Sequence, residues 1–203
     1  MKKYQKNKGG LKMLKDLIKK NRSYRRFYEN KKISKKTLRE IIDLARLSAS
    51  AANRQPLKYI ITTSKEVNKK IFKELSWAGY ISDWDGPQKG ERPAAYITIL
   101  GDKDITKNYW DDPGIAAQSI LLGAVEKNLG GCILGAINKE NIRIKLNIPE
   151  KFQILYVIAL GKPKEKVVID SSSDKGDIKY WRDENKVHHV PKRDLSEIII
   201  KEI

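Results

Sequence analysis

Apolar positions along the chain follow two rhythms. Leu11, Leu14, Leu17 and Ile18 recur at helical spacing and predict a helix over residues 11–20. Ser34 is placed to cap a second helix with Leu38, Ile41, Ile42 and Ala45 on one face. "LKYIIT", residues 57–62, reads as a strand, and Ser64 then caps a helix carrying Val67, Ile71, Phe72 and Leu75. "AAYITIL", residues 94–100, is an apolar run of strand length. Asp112 followed by Pro113 marks a helix start, and the small and apolar residues to about Asn128 predict burial on more than one side. "GGCILGAI", residues 130–137, reads as a strand broken by glycine. Asn138 caps a short helix ending before Pro149, and "FQILYVIALG", residues 152–161, is a further buried strand. Helices and strands are interspersed, so the class is mixed α and β.

Two regions escape both rhythms. Residues 76–93, "SWAGYISDWDGPQKGERP", hold too much Gly, Pro and Asp for regular structure, yet Trp77, Tyr80 and Trp84 predict a loop that covers a surface. The C-terminal stretch "KYWRDENKVHHVPKRDLSEIIIKEI" follows a polar connection. No repeat or linker divides the 203 residues, which suit one well-cored domain from residue 11 onward, preceded by a basic, possibly disordered tail over residues 1–10. No apolar run is long enough to cross a membrane, and "MKKYQKNKGG" lacks the apolar core of a signal peptide, so a cytoplasmic protein is expected.

Charge changes the picture less than its size suggests. The formal net charge is +17, but residues 1–39 hold sixteen Lys and Arg against Asp16 and Glu29, and the rest is nearly balanced. A basic nucleic-acid-binding protein is the rival this raises. No zinc finger, RNP aromatic signature or basic leucine zipper accompanies the basic segment, so no nucleic acid is expected as partner.

Residues for direct chemistry are few. The histidines are His188 and His189, adjacent on an extended stretch and so facing opposite ways, which reads as structural or surface histidine rather than a metal site. Cys132 sits in an apolar strand and reads as core, which leaves no disulfide or thiolate cluster. Asp111 and Asp112 read as helix capping. An enzyme so equipped takes its chemistry from a cofactor. Three segments offer what a phosphorylated planar cofactor needs: Arg22, Ser23 and Arg25 for a phosphate, Ser50, Asn53 and Gln55 for hydroxyls or a polar ring edge, and "ILGAI", residues 133–137, where Gly135 and Ala136 leave room beside a flat ring.

In that order these segments resemble the FMN-dependent nitroreductase family. "NRSYRRF" resembles its Arg-Ser-x-Arg element, "SASAANRQP" its Ser-Pro-Ser-x-x-Asn-x-Gln-Pro element, "NLGGCILGAI" its Gly-Leu-Gly-x-x-x-x-Gly segment, and "HHVPKR" its basic C-terminal element. The resemblance implies an α+β fold with a central, mainly antiparallel sheet flanked by helices, in an intertwined homodimer with FMN at the interface. By the same resemblance Arg22, Ser23 and Arg25 bind FMN, with Lys192 and Arg193 completing the phosphate site. Ala49, Ser50, Ala51, Asn53 and Gln55 reach the flavin held mainly by the partner, and Ile133, Leu134, Gly135 and Ala136 pass beside its ring. The implied reaction is ping-pong hydride transfer from NADH or NADPH through the flavin to an acceptor such as a nitroaromatic or quinone. No catalytic side chain and no metal are implied. A specialised flavin dehydrogenase or flavin-consuming oxidase of the same fold is the alternative. The chain departs from the pattern at Asn21, where many members have arginine, at Ala49 in place of proline, at Gly135 where some have glutamate, and at Arg54, a charge that favours anionic substrates.

Overall fold

A computed structural model describes residues 8–172 and 177–203, with side chains from Met13 onward. The basic tail lies largely outside the described residues; the first helix, α1, runs Lys8–Lys20. α2 spans Lys35–Arg46, with the Ser34 side chain accepting from the Thr37 N–H as expected of a cap. β1 (Leu57–Thr62), β2 (Ala95–Asp102), β3 (Gly130–Leu134) and β4 (Phe152–Gly161) form one four-stranded sheet in the order β1–β2–β4–β3, antiparallel throughout. β2 is buried at every position, which is why its sequence is mostly apolar on both faces and not alternating.

The pleat sends alternate β2 and β4 side chains to two cores. Ile97, Ile99, Ile158 and Leu160 pack with Leu38 and Ile41 of α2 and with Ala117, Ile120 and Ala124 of α4 (Asp112–Glu126). Tyr96, Leu100, Ile154 and Val157 face the other way, toward Ile71 of α3 (Lys65–Phe72), Ile142 of α5 (Lys139–Leu146) and Trp77 from the loop. Gly123 lets α2 and α4 approach closely, since a Cβ there would strike Leu44. Truncating a side chain such as Ile158 to Ala in a core this closed costs about 2–5 kcal/mol.

Beyond β4 the sequence reading assigned no strands. β5 (Val167–Ser171), β6 (Trp181–Arg182) and β7 (His188–Lys192) make a small second sheet in the order β5–β7–β6, with β5 and β7 parallel. The last helix, α6, covers Leu195–Ile198. Residues 76–93 form no helix or strand, as expected; Trp77 is buried, and the Arg182 guanidinium lies 4.1 Å from the centre of the Trp84 ring. β3 ends at Leu134, so Gly135 and Ala136 are not part of a strand. Among the described residues no helix is long and apolar enough to cross a membrane.

Apolar surface is left uncovered in two places. α1 has the expected amphipathic pattern, but Met13, Leu14 and Ile18 are exposed, and so are Leu195, Ile198, Ile199, Ile200 and Ile203 at the C-terminus.

Candidate functional site

"NRSYRRF" leaves α1 as extended chain and runs along the edge of the main sheet. Ser23 bridges Gly131 of β3 in parallel, and the Tyr24 N–H donates to the Gly131 carbonyl at 3.0 Å. A side chain at Gly131 would collide with the Ala159 carbonyl of β4, and one at Gly130 with the Tyr24 ring of the loop, so both positions suit glycine. Arg22 donates from Nη2 to the Ile18 carbonyl at 2.8 Å, closing the last turn of α1. Beneath the loop lies Glu165, whose side chain is 0% exposed. Its carboxylate accepts from the backbone N–H of Arg25, from that of Arg26 at 3.1 Å and from Arg182 Nη2 at 3.3 Å. A second anchor is the Arg26–Glu91 pair, with two bonds of 2.7 Å, which Lys164 joins at 3.0 Å. Glu91 is thereby pushed down to about 2, first by its bond to Arg26.

The loop's side chains open onto a cavity of about 290 Å³. Arg22, Ser23, Arg25 and Lys192 supply its polar wall, and Leu121, Ile133 and Val190 its apolar one. Asn21, Gln118, Tyr180 and His188 complete the lining, and among the described residues that line it there is no carboxylate. Asn21, where the family pattern often has arginine, donates to Gln118 Oε1 at 3.2 Å and is committed to the wall. Arg25 is held on three sides. Its Nη1 lies 3.2 Å from the Ser23 carbonyl and 3.2 Å from His188 Nε2, and its guanidinium sits 4.9 Å from the centre of the Tyr180 ring. The Nε atoms of Arg22 and Arg25 and Nδ1 of His188 are buried with no hydrogen-bond partner among the described residues. Buried donors of this kind around an acid-free cavity suit an anion with several oxygens.

A model of the nitroreductase family, described as such, matches residues 18–162. The chain belongs to the nitroreductase family. It is 28% identical over 148 residues to an Archaeoglobus fulgidus protein named "Putative NADH dehydrogenase/NAD(P)H nitroreductase", covering 69% of this chain and 80% of that one. Among solved structures it resembles an FMN-dependent nitroreductase of Clostridium difficile R20291, with 25% identity, a TM-score of 0.63, and coverage of 78% of this chain and 92% of that one. A nitroreductase family protein of Clostridium difficile 630 shares the fold over 93% of this chain and 97% of its own, at 22% identity and a TM-score of 0.64.

The nitroreductase motifs separate into two groups in the fold. Arg22, Ser23, Arg25, Ile133 and Lys192 come together at the cavity. Leu134 is buried toward the core, Gly135 and Ala136 are exposed beyond the strand end, and Arg193 is exposed and pairs with Glu197 at 3.3 Å. Ala49, Ser50, Ala51, Asn53 and Gln55 lie after α2 and do not line the cavity. Asp112 holds this second group: its carboxylate accepts from Ser50 Oγ at 2.6 Å and from the Ala51 N–H at 2.9 Å. Neither Asp111 nor Asp112 caps α4 with its side chain, contrary to the sequence reading; Asp112 is buried and spends its oxygens across the fold. The two histidines face different surroundings: His188 is buried and lines the cavity, while His189 stacks on Trp181 at 4.1 Å and meets Asp170 at 2.8 Å. Nothing in the sequence places Tyr180 and His188 beside Arg25, because their approach to it depends on the small second sheet.

Proposed function

We propose that the chain is an NAD(P)H-dependent FMN oxidoreductase acting on a small planar acceptor such as a nitroaromatic or quinone, and that it works as a homodimer. The observation that carries this is the convergence of Arg22, Arg25, Lys192 and Ser23 on an acid-free cavity containing buried, unpartnered donors. The residues fit FMN. The three cations and the serine suit its phosphate, and Leu121, Ile133 and Val190 offer an apolar wall for a ring. When bound, FMN supplies hydride transfer between a nicotinamide donor and the acceptor.

The chain's own part is to bind and orient. The positive charge of Arg22, Arg25 and Lys192 favours an anionic ligand, and the extended loop holds it along the sheet edge. The cavity's 290 Å³ lies at the lower end of cofactor sites, in keeping with one wall being supplied from elsewhere. A second copy is the natural source. It would cover the exposed Leu14, Ile18, Leu195 and Ile198 and bring its Ser50, Asn53 and Gln55 to this cavity. The names of similar proteins, an FMN-dependent nitroreductase and an NADPH:FMN oxidoreductase of Vibrio harveyi, point the same way.

The test is to denature the purified or FMN-reconstituted protein and chromatograph what it releases. FMN in about one equivalent per chain is expected. FAD, or no flavin after reconstitution, would overturn the reading.

A further inference from the structure

His188 has a role that none of the motifs assigns. Its side chain is enclosed, with the residue 1% exposed, yet it lines the cavity. Its place is set by β7: His188 pairs with Val167 of β5 on one side and Arg182 of β6 on the other, and its N–H donates to the Lys166 carbonyl at 2.9 Å. The Tyr180 ring lies 5.2 Å away and restricts the plane of the imidazole.

The two ring nitrogens meet different surroundings. Nε2 is 3.2 Å from Arg25 Nη1, a group that can only donate, so Nε2 must be the acceptor. The ring is then neutral and carries its proton on Nδ1. Burial, and after it the charges of Arg25, Arg182 and His189, push His188 down to about 4, which keeps it in this form at neutral pH. Nδ1 has no hydrogen-bond partner among the described residues. A buried N–H with nothing to donate to is costly, and a ligand can satisfy it.

A fourth cation here would add repulsion to Arg22, Arg25 and Lys192. A neutral imidazole avoids that repulsion while still offering a donor. It accepts from the arginine on one edge and donates from the other, on one rigid ring.

Resting on the flavin reading above, we propose that His188 is a cofactor-binding residue whose Nδ1–H donates to an oxygen of bound FMN while its Nε2 holds Arg25 in position.

The test uses the full chain labelled with 15N-histidine, stripped of flavin and then titrated with FMN. His189 supplies the other ring signals, and the His189→Gln variant, which leaves His188 in place, identifies which belong to His188. Without FMN, His188 is expected as the Nδ1–H tautomer at pH 7. With FMN, its Nδ1 proton should move downfield and exchange more slowly with water. His188→Phe, which fills the ring's space without nitrogens, should weaken FMN binding about ten- to a hundred-fold by equilibrium titration, the scale of a hydrogen bond to a charged group. An Nε2–H tautomer, or an Nδ1 signal that FMN leaves unmoved, overturns the proposal even if the variant does not fold. Unchanged affinity in His188→Phe, with wild-type chain binding FMN, overturns this inference alone. A wild-type chain that binds no FMN overturns the flavin reading and this inference with it.

Discussion

Residues 21–27 and residues 50–55 both carry polar side chains shared with the nitroreductase motifs, but the fold treats them in opposite ways. The first segment is extended and tied from several directions, to β3 through Gly131, to Glu91 through Phe27 and Arg26, and to the buried Glu165 through two consecutive N–H groups. The second is a tight turn with Ala52, Asn53 and Gln55 at φ of 50°, 52° and 51°. Left-handed backbone costs about 1–2 kcal/mol per residue with a Cβ, less for Asn. Three such residues fall within four positions, interrupted by Arg54 at φ −72°, just after Ser50 and Ala51 are held by the Asp112 carboxylate. One segment lines a cavity; the other does not.

The sharpest way to break that comparison is complementation. Arg25→Ala and Asn53→Ala, each inactive or nearly so alone, are mixed under conditions that exchange subunits. In a mixed dimer one site carries both lesions and the other neither, so random re-pairing should return roughly a quarter of wild-type sites. Activity that stays flat after confirmed exchange means that each site is built within one chain.

Next in size is Glu165→Gln. The change removes a buried charge and turns one acceptor into a donor facing the N–H groups of Arg25 and Arg26. We expect a stability loss of about 2–4 kcal/mol, read by denaturant titration, with FMN affinity falling alongside. A stability change within about 0.5 kcal/mol would mean that the arginine loop stands without its buried anchor.

Asp112→Asn makes the matching cut at the other segment. It should cost about 1–2 kcal/mol and raise protease cleavage near residues 50–55, while FMN binding is affected less than by Glu165→Gln. Equal losses of FMN affinity from the two variants would erase the distinction between the regions.

Smallest is the pH dependence carried by Glu91. Its folded value is depressed from 4.5 to about 2, so its contribution is complete above pH about 4.5 and is lost as pH falls toward 2. Replacing Arg26 with Met should flatten that part of the acid-unfolding profile. A profile unchanged by Arg26→Met would place the acid sensitivity elsewhere.

Local pattern carried much of this fold and only part of the site. β1, β2 and β4 stood out as apolar runs because two cores sandwich the sheet, and α2 and α5 were marked by Ser34 and Asn138, whose side chains do cap. Arg22, Ser23, Arg25, Ile133 and Lys192 were identified by motif, and the fold brings them to one cavity. What local pattern could not carry is pairing across the chain. β5 and β7 are short, polar in part and joined in parallel over a long connection, so neither run stands out. Tyr180 and His188 reach Arg25 only through that pairing. Asp112 has the sequence signature of a helix start, and nothing nearby in sequence says that its oxygens go to Ser50 and Ala51.

The single thiol of the chain, Cys132, is buried on β3 beside the Gly131 contact with Ser23, and burial raises its pKa. A thiol in that state is shielded and slow to react. It therefore works as a built-in stopwatch. A labelling reagent can reach it only when the core that also holds Leu134, Ile71 and Ile142 opens, so the labelling rate counts openings of that core.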